Sequence, residues 1–355
     1  MKRLVMGLIL TALCVMPSHA ADTISVPGLD ELWDQAEEYG VQEETELDEG
    51  VSNLFADGIG QFGTLLKASL ATVVKLMAVV LLCAMTQGAQ LGGKTEGVHA
   101  VELAGALAIT ALTMTDMAAM IGLGRETIGK MDLFSSTLLP VMAVLTAATG
   151  GVTAAAARQG ATVLFSQLLL SAMDRLLIPL VYAYVAVNCA YAVVGNPGLE
   201  KLAALLKSVV TTLLTAFMLA FVGYLTATGA IAGSVDASVV KAARMAISRA
   251  IPVVGGILAD ASESVLAGAG VLRGTVGVVG MLVVLAICLT PFLRLGLQYL
   301  LYKGTAALCA TIAQPRLSRL IDAIGSAFGL VLGMTGAAAL VLLVSLVSAV
   351  SAVTV

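Results

Sequence analysis

Asp260 and Glu263 stand three residues apart inside an otherwise apolar run, a spacing that puts both carboxylates on one helix face. Two like charges so placed require a cation, water or an arginine, and Arg249 and Arg273 flank them in the chain. Asp174 and Arg175 interrupt a second apolar run; as neighbours they point about 100° apart on a helix and need not pair with each other. Ionisable groups at membrane depth mark polar paths, relays or contacts. These six residues are therefore candidates for a polar conduit or a partner contact, with structural pairing as the alternative. Glu102 and Asp116 also fall in apolar runs, whereas Lys67, Lys75 and Arg294 have stems long enough to snorkel to an interface.

Catalytic chemistry has no comparable footing. His99 is the only histidine beyond residue 20, so neither a histidine metal pair nor a histidine-based triad can be assembled from this chain. A phosphate-binding G-x-x-x-x-G-K-[ST] loop is missing. Cys83, Cys189, Cys288 and Cys309 occur singly, without the C-x-x-C spacing of a zinc or redox site, and read as small core residues. We expect no enzyme activity, no catalytic or metal-ligating residue and no cofactor.

The element that must position Asp260 and Glu263 is unusual. Ile251 to Gly280 is apolar yet contains Pro252, Gly255, Gly256 and five further glycines. A plain spanning helix needs about 20 predominantly apolar residues. Broken backbone at membrane depth persists only where protein buries it or a wet cavity meets it. Just before it, Val240, Ala243, Ile247 and Ile251 form an apolar stripe beside Lys241, Arg244 and Ser248, the pattern of a helix in the headgroup plane. The region near 237–275 is expected to be re-entrant or interfacial.

Composition makes the rest a membrane body. The 355 residues are 59% hydrophobic and 12% charged, with mean hydropathy +0.99, against about 25% charged in soluble domains. Candidate spans lie near 65–87, 98–121, 133–152, 160–195, 205–232, 276–294, 295–313 and 326–353. The 160–195 run reads either as a hairpin or as one long helix. The fold class is all-α and polytopic, with six to eight transmembrane helices. In the last span Gly325, Gly329, Gly333 and Ala337 recur every fourth position, a seam for close helix packing within the chain or with another subunit.

Residues 1–20 read as a signal peptide: Lys2 and Arg3, an apolar core from Leu4 to Val15, and a Ser18-His19-Ala20 cleavage site. Residues 21–62 are an acidic extracytoplasmic segment, with twelve acidic residues and no Lys or Arg between Ala21 and Gly60. The remaining chain carries seventeen basic and eleven acidic residues. Leu32, Trp33, Ala36 and Tyr39 could form one face of a short helix that docks on a partner or lies on the membrane. Residues 63–355 form the helical membrane domain.

Four segments carry a family likeness: 138–156 (LLPVMAVLTAATGGVTAAA), 251–280, 291–303 (PFLRLGLQYLLYK) and 322–346 (DAIGSAFGLVLGMTGAAALVLLVSL). In this order, behind a signal and an acidic segment, they resemble the stage III sporulation protein AE family of endospore-forming bacteria. The core Pro252–Gly256 followed by Asp260 is the most distinctive element. The resemblance implies a membrane subunit of a channel-like transenvelope complex linking mother cell and forespore. It further implies partners that include a secretion-type ATPase, ring-forming proteins and a forespore membrane protein across the intermembrane space. The implied location is the mother-cell membrane surrounding the forespore. The alternatives are a stand-alone secondary transporter, which broken helices and midplane charges also fit, and a scaffold whose charges pair internally.

Overall fold

A computed structural model describes residues 29–41, 47–89, 95–148, 153–227, 275–312 and 315–353. Residues 1–28, with the expected signal peptide, and 228–274, with Arg249, Pro252, Gly255, Gly256, Asp260, Glu263 and Arg273, lie outside them. The described residues form α1 (Leu29–Glu38), α2 (Leu47–Ala89), α3 (Thr95–Ala148), α4 (Thr153–Ala172), α5 (Ile178–Val194), α6 (Pro197–Ala227), α7 (Thr275–Ala310) and α8 (Pro315–Val353). A π-helical turn, Met173–Leu177, joins α4 to α5 without a break. Among the described residues there is no strand.

Among the described residues, six helical runs are long and apolar enough to cross a membrane: Ser69–Thr86, Ala100–Met142, Gly160–Val194, Pro197–Ala227, Thr275–Ala310 and Pro315–Ala349. The protein is an all-α polytopic membrane protein. Eight sequence segments become six helical runs because two apparent interruptions do not break the helix. The segments 98–121 and 133–152 merge in α3, and 276–294 and 295–313 merge in α7. Arg125, Glu126 and Lys130 face outward on α3, where water or headgroups can meet them, and Lys130 bonds Glu126 one turn away at 2.9 Å. The 160–195 run is likewise continuous, the π turn absorbing Asp174 and Arg175. The 54 residues of α3 rise about 80 Å, more than twice a bilayer's hydrocarbon thickness.

The runs alternate in direction around α8. Close to the start of α8, Arg316 meets Glu102 of α3, Arg319 meets Glu200 of α6, and Tyr302 of α7 lies against Gly325. Towards its other end, Ser345 bonds Ser166 of α4 (Oγ–Oγ 2.6 Å), while Leu346 and Leu138 crowd Gly280 of α7. These are the Arg316 end and the Ser345 end of the bundle. Tyr224 of α6 bonds Thr162 of α4 at 3.3 Å, so α6 ends and α7 begins at the same Ser345 end.

α8 is the core. From Leu317 to Ala349 every residue is buried except Arg319, Asp322 and Leu340. It is touched by α3, α4, α5, α6 and α7. A helix apolar on all sides must be enclosed, and here its own chain encloses it. Outward-facing side chains such as Val74, Leu82, Met85, Leu107, Leu164, Leu168 and Leu300 supply the apolar exterior that lipid accepts.

α1 docks on the bundle rather than trailing from it. Leu32 and Ala36 are fully buried, Trp33 and Tyr39 pack beside them, and Gln35 Nε2 donates to Thr137 Oγ1 of α3 at 3.4 Å. α2 runs unbroken from Leu47 to Ala89, so the change from acidic to apolar sequence near residue 62 falls inside one helix.

Candidate functional site

The glycine seam of α8 has an intramolecular partner. A Cβ on Gly325 would lie 3.1 Å from Tyr302 Cβ and 3.3 Å from the Lys303 backbone nitrogen; one on Gly329 would lie 2.8 Å from the Tyr299 ring. Both neighbours belong to α7. Gly333 and Ala337 continue the seam and are buried. Sequence spacing missed the matching notch on α3, where a Cβ on Gly124 would strike Val331 and one on Gly105 would approach Cys83 Sγ and Leu317. No periodicity flags such lone glycines; only the helix that faces them does.

Asp174 does not pair with Arg175. It accepts from Arg125 Nε of α3 at 2.8 Å, across the π turn, while Arg175 is exposed. Asp116 accepts from Tyr302 Oη at 2.9 Å, and Glu102, almost fully buried, lies 3.6 Å from Arg316 Nη1. Lys67, Lys75 and Arg294 are exposed.

The densest polar constellation is one that the sequence reading did not assemble. Arg319, Asp322 and Ser326 recur at three- and four-residue spacing along one face of α8. Arg319 Nη1 donates to Glu200 Oε1 at 2.7 Å and to Tyr191 Oη at 3.2 Å. Lys303 Nζ of α7 donates to Asp322 Oδ1 and to Ser326 Oγ, both at 2.7 Å. Lys207 Nζ of α6 donates to the same Ser326 oxygen at 3.3 Å. Tyr184 of α5 is buried nearby, its backbone carbonyl accepting from Asn188 Nδ2 at 2.7 Å. Arg319 and Asp322 are two of the three residues between Leu317 and Ala349 that escape burial. They mark a crevice whose walls are α6 and α7, helices that share no substantial contact among the described residues. The signal was present in the basic turn at 315–319 and its continuation to Asp322 and Ser326, but the partners come from helices far off in sequence.

Local chemistry shapes the mouth of this crevice. Gly195 caps α5 in the left-handed region (φ 71°), its N–H donating to Tyr191 O at 2.8 Å. Asn196 Oδ1 then accepts from the Gly198 N–H at 2.8 Å, and Pro197 opens α6. The Arg316 guanidinium lies over Gly195, 2.6 Å from where a Cβ would stand. Gly195→Ala is expected to destabilise the protein by about 1–3 kcal/mol, through the positive φ and the displaced guanidinium. Loss of the monodisperse species on heating in detergent measures it.

Six alternating spans among the described residues, one of them the enclosed axial helix, define a multi-pass helical membrane protein with a charged lateral crevice. Among known families, stage III sporulation protein AE matches residues 40–353, and the chain belongs to that family. It is 24% identical over 204 residues to the stage III sporulation protein AE of Bacillus subtilis (strain 168), a match covering 58% of this chain and half of that relative's length. No solved structure matches. Family membership gives the protein a role in sporulation.

Proposed function

We propose that the protein is a non-enzymatic membrane subunit of the channel-like transenvelope complex that links mother cell and forespore. In this reading it resides in the mother-cell membrane around the forespore. Its partners are a secretion-type ATPase, ring-forming proteins and a forespore membrane protein. The observation that carries the reading is the filled axis: α8, buried from Leu317 to Ala349 at all but three positions, occupies the centre of the bundle. A solid core suits a platform that other subunits surround better than a pore through this bundle. Apolar side chains on the outer faces of α4 and α6, Leu164, Leu168 and Leu219 among them, supply surface for lipid or neighbouring subunits.

A stand-alone permease is the second reading, favoured by one observation, the charged crevice of Lys207, Lys303 and Asp322. Affinity purification of the tagged full-length chain from sporulating cells separates the two. Co-purification of the ATPase and ring-forming proteins, with no solute flux by the chain alone in liposomes, is the expected result. Solute uptake by the purified chain alone, with no co-purifying partner, would overturn the subunit reading.

A further inference from the structure

The crevice between α6 and α7 has an amphipathic geometry with a charge imbalance. Arg319 is matched by Glu200 and Lys303 by Asp322, but Lys207 is left with a neutral hydroxyl. Among the described residues no carboxylate lies within ion-pair distance of Lys207, so the constellation carries one surplus positive charge. The groove is open sideways: the Lys303 and Asp322 side chains are 29% and 50% exposed. Its floor and walls lie within about three helical turns of the Arg316 end. Because α6 starts at that end, Lys207 leans back towards it, as side chains tilt towards a helix N-terminus. Below the polar strip the open side of the groove is apolar. On α7 that surface is Leu300, one turn from Lys303 on the same face and 65% exposed.

From this arrangement we propose that the crevice binds an anionic phospholipid. The lipid phosphate lies between Lys207 and Lys303, and the acyl chains descend along the exposed face of α7 that continues from Lys303 to Leu300. Surplus positive charge selects an anion. The flanking apolar surface selects one attached to hydrocarbon, as in other basic pockets between transmembrane helices. Ser326 holds the two lysines in place by accepting from both. The proposal is independent of the transenvelope reading, since a permease would hold such a lipid equally well.

The test is back-titration of the delipidated full-length chain, followed by native mass spectrometry, with phosphatidylglycerol, phosphatidylcholine and inorganic phosphate as separate probes. One tightly held phosphatidylglycerol per chain is expected, in preference to phosphatidylcholine and undisturbed by phosphate. Lys207→Gln should weaken that binding about fivefold, Lys207→Arg should restore it, and Lys130→Gln, on a distant face of α3, should leave it unchanged. Equal binding of the two lipids by the unmodified chain would overturn the proposal whether or not any variant folds. So would unchanged affinity in a folded Lys207→Gln. Competition by phosphate alone would assign the crevice to a soluble anion, and lipid binding that vanishes when a dimer dissociates would assign it to an interface between copies.

Discussion

Gly325→Leu is expected to abolish accumulation of the protein, and Gly325→Ala to lower it measurably. At this crossing the obstruction is the backbone of α7. A Cβ would already lie 3.3 Å from the Lys303 nitrogen and 3.1 Å from Tyr302 Cβ, atoms that move only if the whole helix moves. Displacing α7 would also strain the Tyr302–Asp116 hydrogen bond, the Lys303–Asp322 ion pair and the edge-on packing of Tyr302 against Phe328. Overpacking a tight core ordinarily costs about 1–3 kcal/mol; a leucine at a backbone contact belongs at or above the top of that range. Gly329→Ala meets only the Tyr299 ring, at 2.8 Å. That ring is half-buried and can swing, so a milder loss is expected. Immunoblotting of membrane fractions, with the heat-induced loss of monodisperse protein in detergent, ranks the three. Equal abundance of Gly325→Leu and the unmodified protein would mean that α7 and α8 do not pack through this glycine.

Arg316→Ala is the second large effect, at about 3 kcal/mol. Glu102 is 6% exposed, and its cation partner arrives from the start of α8 at 3.6 Å. Forming a buried pair gains little over well-packed apolar residues, but removing one member is costly, because the other stays desolvated without the charge that faced it. The same guanidinium covers Gly195, so its loss also opens the turn between α5 and α6. Glu102→Gln should cost less, since Arg316 is 36% exposed and water can solvate it. Unfolding in denaturing detergent, scored by circular dichroism, should rank Arg316→Ala below Glu102→Gln and both below the unmodified chain. The reverse order would show that the buried carboxylate does not depend on Arg316.

How much of this was legible beforehand differs from residue to residue. The spacing of Gly325, Gly329 and Gly333 revealed a packing seam because a four-residue period is a property of one helix. The period could not reveal the partner, and the choice between α7 and another subunit was made by Tyr302 and Tyr299. Asp174 and Arg175 were visible as charges in an apolar run, yet the cation that meets Asp174, Arg125, is 49 residues away. α1 showed its apolar face through Leu32, Trp33, Ala36 and Tyr39; that this face covers α3 near Thr137 is a fact of assembly. Eight apparent spans became six helical runs because outward-pointing charges on α3 and prolines at 140 and 291 are tolerated within continuous helices.

By itself, the sequence determined what depends on composition and short-range period: a helical membrane body, an acidic leading segment, a close-packing stripe and the family. Only the tertiary structure decided which helix lies at the centre. Hydropathy cannot choose between lipid and protein as the neighbour of an apolar face, since both are equally dry. Enclosure of α8 by five other helices made that choice. It also left Arg319 and Asp322 at a lateral opening where Lys207 and Lys303, 96 residues apart in the chain, reach the same oxygen of Ser326.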